Sequence, residues 1–146
     1  MATKLHPIAR CQTMSLLNQL EAGVRFLDVR CRHFHRSFLI HHDKVYQGTN
    51  FDQVLDVTLE FLSNHPTEVI LMRLKKEYFD EGNGDESFTE RLDIYLASRD
   101  QTKIWRNSSF PETIGDARGK LVILRDIGGT SEFVDYGRFE AEVNII

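Results

Sequence analysis

Four stretches of the chain end in residues that can hold an anion or move a proton. Arg30 stands two positions after Asp28 at the end of the run 24–30. In an extended segment such residues share a face, so the carboxylate can orient the guanidinium. A fixed guanidinium suits a phosphate, because its planar fork donates parallel hydrogen bonds and stabilises developing negative charge. Lys75 and Glu77 repeat this spacing, and Lys76 then faces the other way. His42 follows Phe38-Leu39-Ile40-His41 and offers an imidazole that gives or takes a proton near neutral pH. Arg125-Asp126 closes the fourth stretch. Singly, each reads as an ordinary strand-end salt bridge or a solvated turn. Together, the cations and a histidine point to an anionic substrate, most simply a phosphate ester.

The segments that must position these groups alternate between helical and strand periods. Ser15 to Ala22 reads as a helix stopped by Gly23, and 24–29 as a strand. Asn50 and Gln53 form a capping-box pattern ahead of Phe51, Val54, Leu55, Leu59 and Leu62 at helical spacing, closed by Pro66. Glu68 to Leu74 is a continuous apolar strand, and Ser87 with Glu90 opens another helix after the polar loop 80–86. A short turn or helix at 113–118 precedes the strand 120–124. Near-continuous apolar strands separated by helices predict an α/β fold with a parallel sheet covered by helices. In a parallel barrel the carboxyl ends converge on one face, where active sites are built. An open doubly wound sheet would gather them too, but no G-x-G-x-x-G follows a strand.

Composition narrows the partners. The 146 residues carry 18 Lys+Arg against 22 Asp+Glu, a formal charge of −4, which argues against a generally basic nucleic-acid binder. No run is long and apolar enough for a membrane-spanning helix, and residues 1–10 lack the core of a signal peptide, so the sequence carries no address. Cys11 and Cys31 fit either a reduced compartment or one disulfide. His33 and His35 imitate a metal pair, but Arg32 and Arg36 beside them repel a cation, so no metal is expected there.

The strand-end stretches, in order, resemble the X domain of phosphatidylinositol-specific phospholipase C in its bacterial, metal-independent form. The residues that carry the resemblance are 22–30, 38–42, Pro66-Thr67-Glu68-Val69-Ile70 leading into Leu74-Lys75-Lys76-Glu77-Tyr78, and 115–122. The resemblance implies a distorted (β/α)8 barrel in which the inositol 2-hydroxyl attacks phosphorus, releasing diacylglycerol and a cyclic inositol phosphate after transient contact with a membrane surface. It makes His42 the general acid, and Arg30, oriented by Asp28, the group that grips the phosphate. It makes Lys75 an inositol contact supported by Glu77. Calcium-dependent relatives carry carboxylates where Arg30 and Lys75 stand, so no metal or other cofactor is expected.

The departures are specific. His6 is too near Asp28, precedes Pro7 and lacks a following Asp, so no residue is assigned as general base. A further inositol contact after the strand 120–124 is basic in the family; Asp126 occupies the best-matching position, with Arg125 adjacent as a substitute. Asp43 replaces the usual glycine after His42. Residues 1–126 are therefore expected to form the first half of the barrel and 127–146 a divergent tail, needing a further barrel half or an oligomeric partner to close. A longer parent is compatible with an extracellular or membrane-peripheral place. Two other functions fit the same residues: a non-catalytic phosphoinositide or anion-binding module using Arg30, Lys75 and Arg125, and a glycerophosphodiester phosphodiesterase-like enzyme, which would need a metal held by carboxylates.

Overall fold

Alternation carries the first strand well past position 29. Leu27, Val29, Cys31 and His33 are buried while Asp28, Arg30 and Arg32 are not, and β1 spans Phe26–Phe34. The computed structural model describes residues 15–40, 50–128 and 131–143. His41 and His42 lie outside them.

Helix α1 (Leu16–Glu21) begins where the Asn18 amide donates to Ser15 Oγ at 3.2 Å, and it ends before Gly23, whose φ of 108° is open to glycine at little cost. β1 turns directly into β2 (Ser37–Ile40) through His35 and Arg36, both at positive φ. So short a connection can only return the chain antiparallel, which is why one strand departs from the expected parallel arrangement. Helix α2 (Phe51–Asn64) carries the anticipated capping box: the Gln53 amide donates to Asn50 Oδ1 at 2.9 Å, and the Asn50 amide to Gln53 Oε1 at 3.0 Å. β3 spans Ile70–Lys76, and α3 spans Phe88–Ala97 behind the Ser87–Glu90 box. A short helix α4 (Ile114–Ala117) leads to β4 (Leu121–Asp126). Between them the Gly119 amide donates to Glu68 O at 2.7 Å, and at its φ of 75° a Cβ would be strained and would press on the Pro66 carbonyl oxygen at 3.1 Å.

The sheet order is β2-β1-β3-β4-β5, with β1, β3, β4 and β5 parallel. β5 (Val134–Asp135) and helix α5 (Tyr136–Val143) lie in the stretch expected to be a divergent tail. A strand of two residues is too short to display a period.

One face of the sheet is packed by α1, α2 and α3. Leu20, Phe51, Val54, Leu55, Leu62, Leu92 and Leu96 meet Val29, Cys31, Met72, Leu74 and Ile123 in a continuous apolar core. Phe38 anchors it, stacking on Phe88 at 4.0 Å and meeting Phe51 edge-on. The other face is only partly covered, where Val122, Leu124 and Val134 pack with Trp105, Phe110, Tyr136 and Phe139.

Candidate active site

The half-covered face carries the charged groups at the carboxyl ends of its strands. Register pairs Asp28 with Arg73, Arg30 with Lys75, and Lys75 with Asp126, so these five side chains emerge from three adjacent strands on one side of the sheet. Their alternates Leu27, Val29, Met72, Leu74 and Ile123 are the core, so the same pleat that buries one set presents the other.

Arg30 is held on two edges. Its Nε and Nη2 donate to Asp28 Oδ1 and Oδ2 at 3.4 and 3.2 Å, and its Nη1 donates to Glu77 Oε1 at 2.9 Å. The carboxylates of Asp28 and then Glu77 raise its already high pKa, so it is a permanent cation. Its side chain stays 41% exposed. Arg73 donates to Asp126 Oδ2 from Nε at 3.0 Å and from Nη2 at 2.6 Å, and its Nη1 lies 3.6 Å from Asp28 Oδ2. Its guanidinium sits over the Tyr136 ring at 4.1 Å. Lys75, between the two arginines, has no ion pair or hydrogen bond among the described residues, whereas Lys76 points away to Asp80 at 2.8 Å.

The expected residues are therefore divided. Asp28, Arg30, Lys75 and Glu77 share one face. Arg125 does not join them: it is register-paired with Leu74, is 2% exposed, and donates from Nη1 to Gly128 O at 2.9 Å on the helix-covered side. His42 lies outside the described residues. Arg73 was missed, although the spacing Arg73-Lys75-Glu77 continues the rule that singled out the last two.

Of the two histidines considered for a metal, His35 is exposed in the turn after β1 and His33 serves the core. His33 is fully buried, its Nε2 3.0 Å from Glu86 Oε2, and Arg91 donates to both Glu86 oxygens at 2.9 and 2.7 Å. Arg91 first, and then His33, hold the Glu86 carboxyl below its usual range. Among the described residues no group of three or more His, Cys, Asp and Glu is placed to hold a metal. Cys31 is a free thiol whose pKa burial drives upward.

At the rim beyond Glu77, Tyr78 takes a φ of 63° and Phe79 is 87% exposed. At the opposite, amino ends of the strands lies an open apolar groove of about 470 Å³, lined in part by Phe26, Leu71, Phe110, Ile114 and Val122.

With this geometry in place, similarity to known proteins is informative. The family model for the phosphatidylinositol-specific phospholipase C X domain matches residues 2–126. The chain is 35% identical over 128 residues to a 1-phosphatidylinositol phosphodiesterase of Listeria monocytogenes, covering 85% of this chain and 38% of that protein. It is 30% identical over 132 residues to the enzyme of the same name from Staphylococcus aureus, covering 88% and 42%. A solved S. aureus phosphatidylinositol-specific phospholipase C, from work on its membrane binding, superposes with a TM-score of 0.71 at 28% identity, over 88% of this chain and 45% of that one. The chain thus spans less than half the length of each.

Proposed function

The chain belongs to the phosphatidylinositol-specific phospholipase C X-domain family, its sheet being part of a (β/α)8 barrel, and on that premise we propose that its charged face handles the phosphodiester of an inositol phospholipid. The reaction is cleavage to diacylglycerol and a cyclic inositol phosphate. The inositol 2-hydroxyl gives its proton to solvent water, no base being assigned, as its oxygen forms the new bond to phosphorus; the bond to the glycerol oxygen breaks, and that oxygen leaves with a proton from His42. Arg30, oriented by Asp28 and Glu77, binds the phosphate oxygens and meets the charge that grows on them. Lys75 contacts the inositol. The observation that carries this reading is the meeting of Asp28, Arg30, Lys75 and Glu77 on one face at the carboxyl ends of two parallel strands, with Lys75 left uncompensated among the described residues.

The chemistry is metal-free in this proposal, because Arg30 and Lys75 stand where a divalent ion would be repelled. With no residue assigned as base, turnover is slow: losing general base catalysis removes about 10²- to 10⁴-fold of rate. Tyr78 and Phe79 at the rim are the proposed contact with the lipid surface, a peripheral contact, since among the described residues no helix is long and apolar enough to cross a membrane. A second barrel half, of the kind the solved relatives carry outside the matched part, is the proposed cover for the apolar amino ends.

The test is release of cyclic inositol phosphate from phosphatidylinositol vesicles, with and without chelator. Slow, chelator-resistant release supports the proposal. Release abolished by chelation rejects the metal-free mechanism, and rapid release rejects the missing base. A second reading, an anion-binding module without turnover, draws on the same uncompensated Lys75. It predicts salt-sensitive headgroup binding that His42→Ala leaves unchanged, with no cyclic product.

A further inference from the structure

Lys75 is the register neighbour of Asp126 on β4 and of Arg30 on β1, and Glu77 follows it on the same face. Two carboxylates are thus within easy reach of its ammonium, and a strand-end lysine so placed would ordinarily pair with one of them. Neither does. Glu77 is taken by Arg30 at 2.9 Å, and Asp126 leans back toward Arg73 at 2.6 Å.

We propose that Arg73 is a positioning residue that sorts the charges of this face: by holding Asp126, and touching Asp28 from the other side, it keeps the Lys75 ammonium free for an anionic ligand. An arginine suits this task better than a lysine. Its fork places two donors on one Asp126 oxygen while a third nitrogen points at Asp28, and its flat surface lies against the Tyr136 ring. Tyr136 opens α5, outside the family match at 2–126, so the far end of the chain supports the site through Arg73. The idea deepens the phosphodiester reading by explaining how, among the described residues, three carboxylates can share a face with three cations and still leave Lys75 uncompensated.

The experiment measures the acylation rate of Lys75 by an amine-reactive ester, read by peptide mass spectrometry on the folded protein, beside binding of myo-inositol 1-phosphate. In Arg73→Met, Asp126 is released to Lys75, and the labelling rate falls about threefold, the scale of an exposed ion pair. Adding Asp126→Asn to that variant restores the rate, a rescue that a merely structural role would not give. Asp126→Asn alone leaves Lys75 labelling as in the unmodified protein, because Asp126 is already engaged; this variant decides the matter even where Arg73→Met does not fold. Faster labelling in Asp126→Asn alone, or an unaltered rate in folded Arg73→Met, overturns the proposal. Absence of myo-inositol 1-phosphate binding by the unmodified protein would defeat the headgroup reading and leave the labelling result to judge charge sorting by itself.

Discussion

The two faces of this sheet come from the same strands and alternate residue by residue, yet they are held by different physics. Against the helices, Val29, Cys31, Met72 and Leu74 are buried among leucines and phenylalanines. On the other side, Asp28, Arg30, Arg73 and Asp126 remain in reach of water, linked by ion pairs, with Lys75 beside them. Burying a large apolar side chain is worth about 1.5–3 kcal/mol, whereas an exposed ion pair contributes about 0–1 kcal/mol. The covered face therefore secures the fold, and the charged face is free to serve a ligand because stability asks little of it.

Truncation on the covered face should have the largest effect. Phe38 touches Phe88, Phe51 and Tyr95, and its amide donates to Tyr95 Oη at 3.0 Å. Phe38→Ala is expected to cost about 3–5 kcal/mol in urea unfolding, and Arg30→Met less than about 1 kcal/mol. An equal loss in the two variants would break the contrast between the faces.

A polar cluster on the covered side sharpens the contrast through pH. Glu86, paired with Arg91 and His33, has a folded pKa below its unfolded value of about 4.3. A depressed carboxyl stabilises the fold above its unfolded pKa, and that contribution is lost as pH falls through the folded value. Glu86→Gln should flatten the stability profile in the acid range while lowering stability near neutrality. Acid sensitivity of the same steepness in Glu86→Gln would mean that another group carries it.

How much could be read from the sequence follows from the same alternation. In β1, Asp28 and Arg30 interrupt Leu27, Val29 and Cys31, so the period of two is visible and the site face could be named. The capping boxes at Asn50 and Ser87 were equally plain, because each is a local pattern of two residues. In β4, Leu121 to Leu124 are buried on both faces, so no alternation tells which way Arg125 points; the register with Leu74 sends it to the helices and Asp126 to the charged face. Arg73 escaped notice because it is surrounded by apolar residues in a run that reads as core. β2 runs against the others because a turn of two residues leaves no alternative, a constraint of chain length that hydrophobic pattern does not express.

At the rim the charged face gives way to Tyr78 and Phe79. A ring moved from water into the boundary of a bilayer gains about 1.5–3 kcal/mol at most, and a tenfold change in partitioning corresponds to about 1.4 kcal/mol. Phe79→Ser should therefore lower binding to phosphatidylinositol-containing vesicles by about tenfold, measured by sedimentation, with the urea midpoint unchanged because Phe79 is 87% exposed. Unchanged partitioning would remove the rim from the lipid contact.

The smallest effect belongs to Lys75, and it tests the charged face most directly. With no ion pair among the described residues, its ammonium contributes little to folding, so Lys75→Met should leave the urea midpoint nearly unchanged. The same substitution removes the cation that Arg73 and Arg30 leave uncompensated. Affinity for myo-inositol 1-phosphate should fall about two- to fivefold at physiological salt, the range of a solvent-screened pair, and the difference should shrink as salt rises and the Debye length contracts. Arg125→Met supplies the opposite pattern: its guanidinium is buried on the helix side, so it should destabilise the fold while affinity in the folded fraction stays the same. If Lys75→Met unfolds the protein and Arg125→Met weakens the ligand, the assignment of the two faces is reversed.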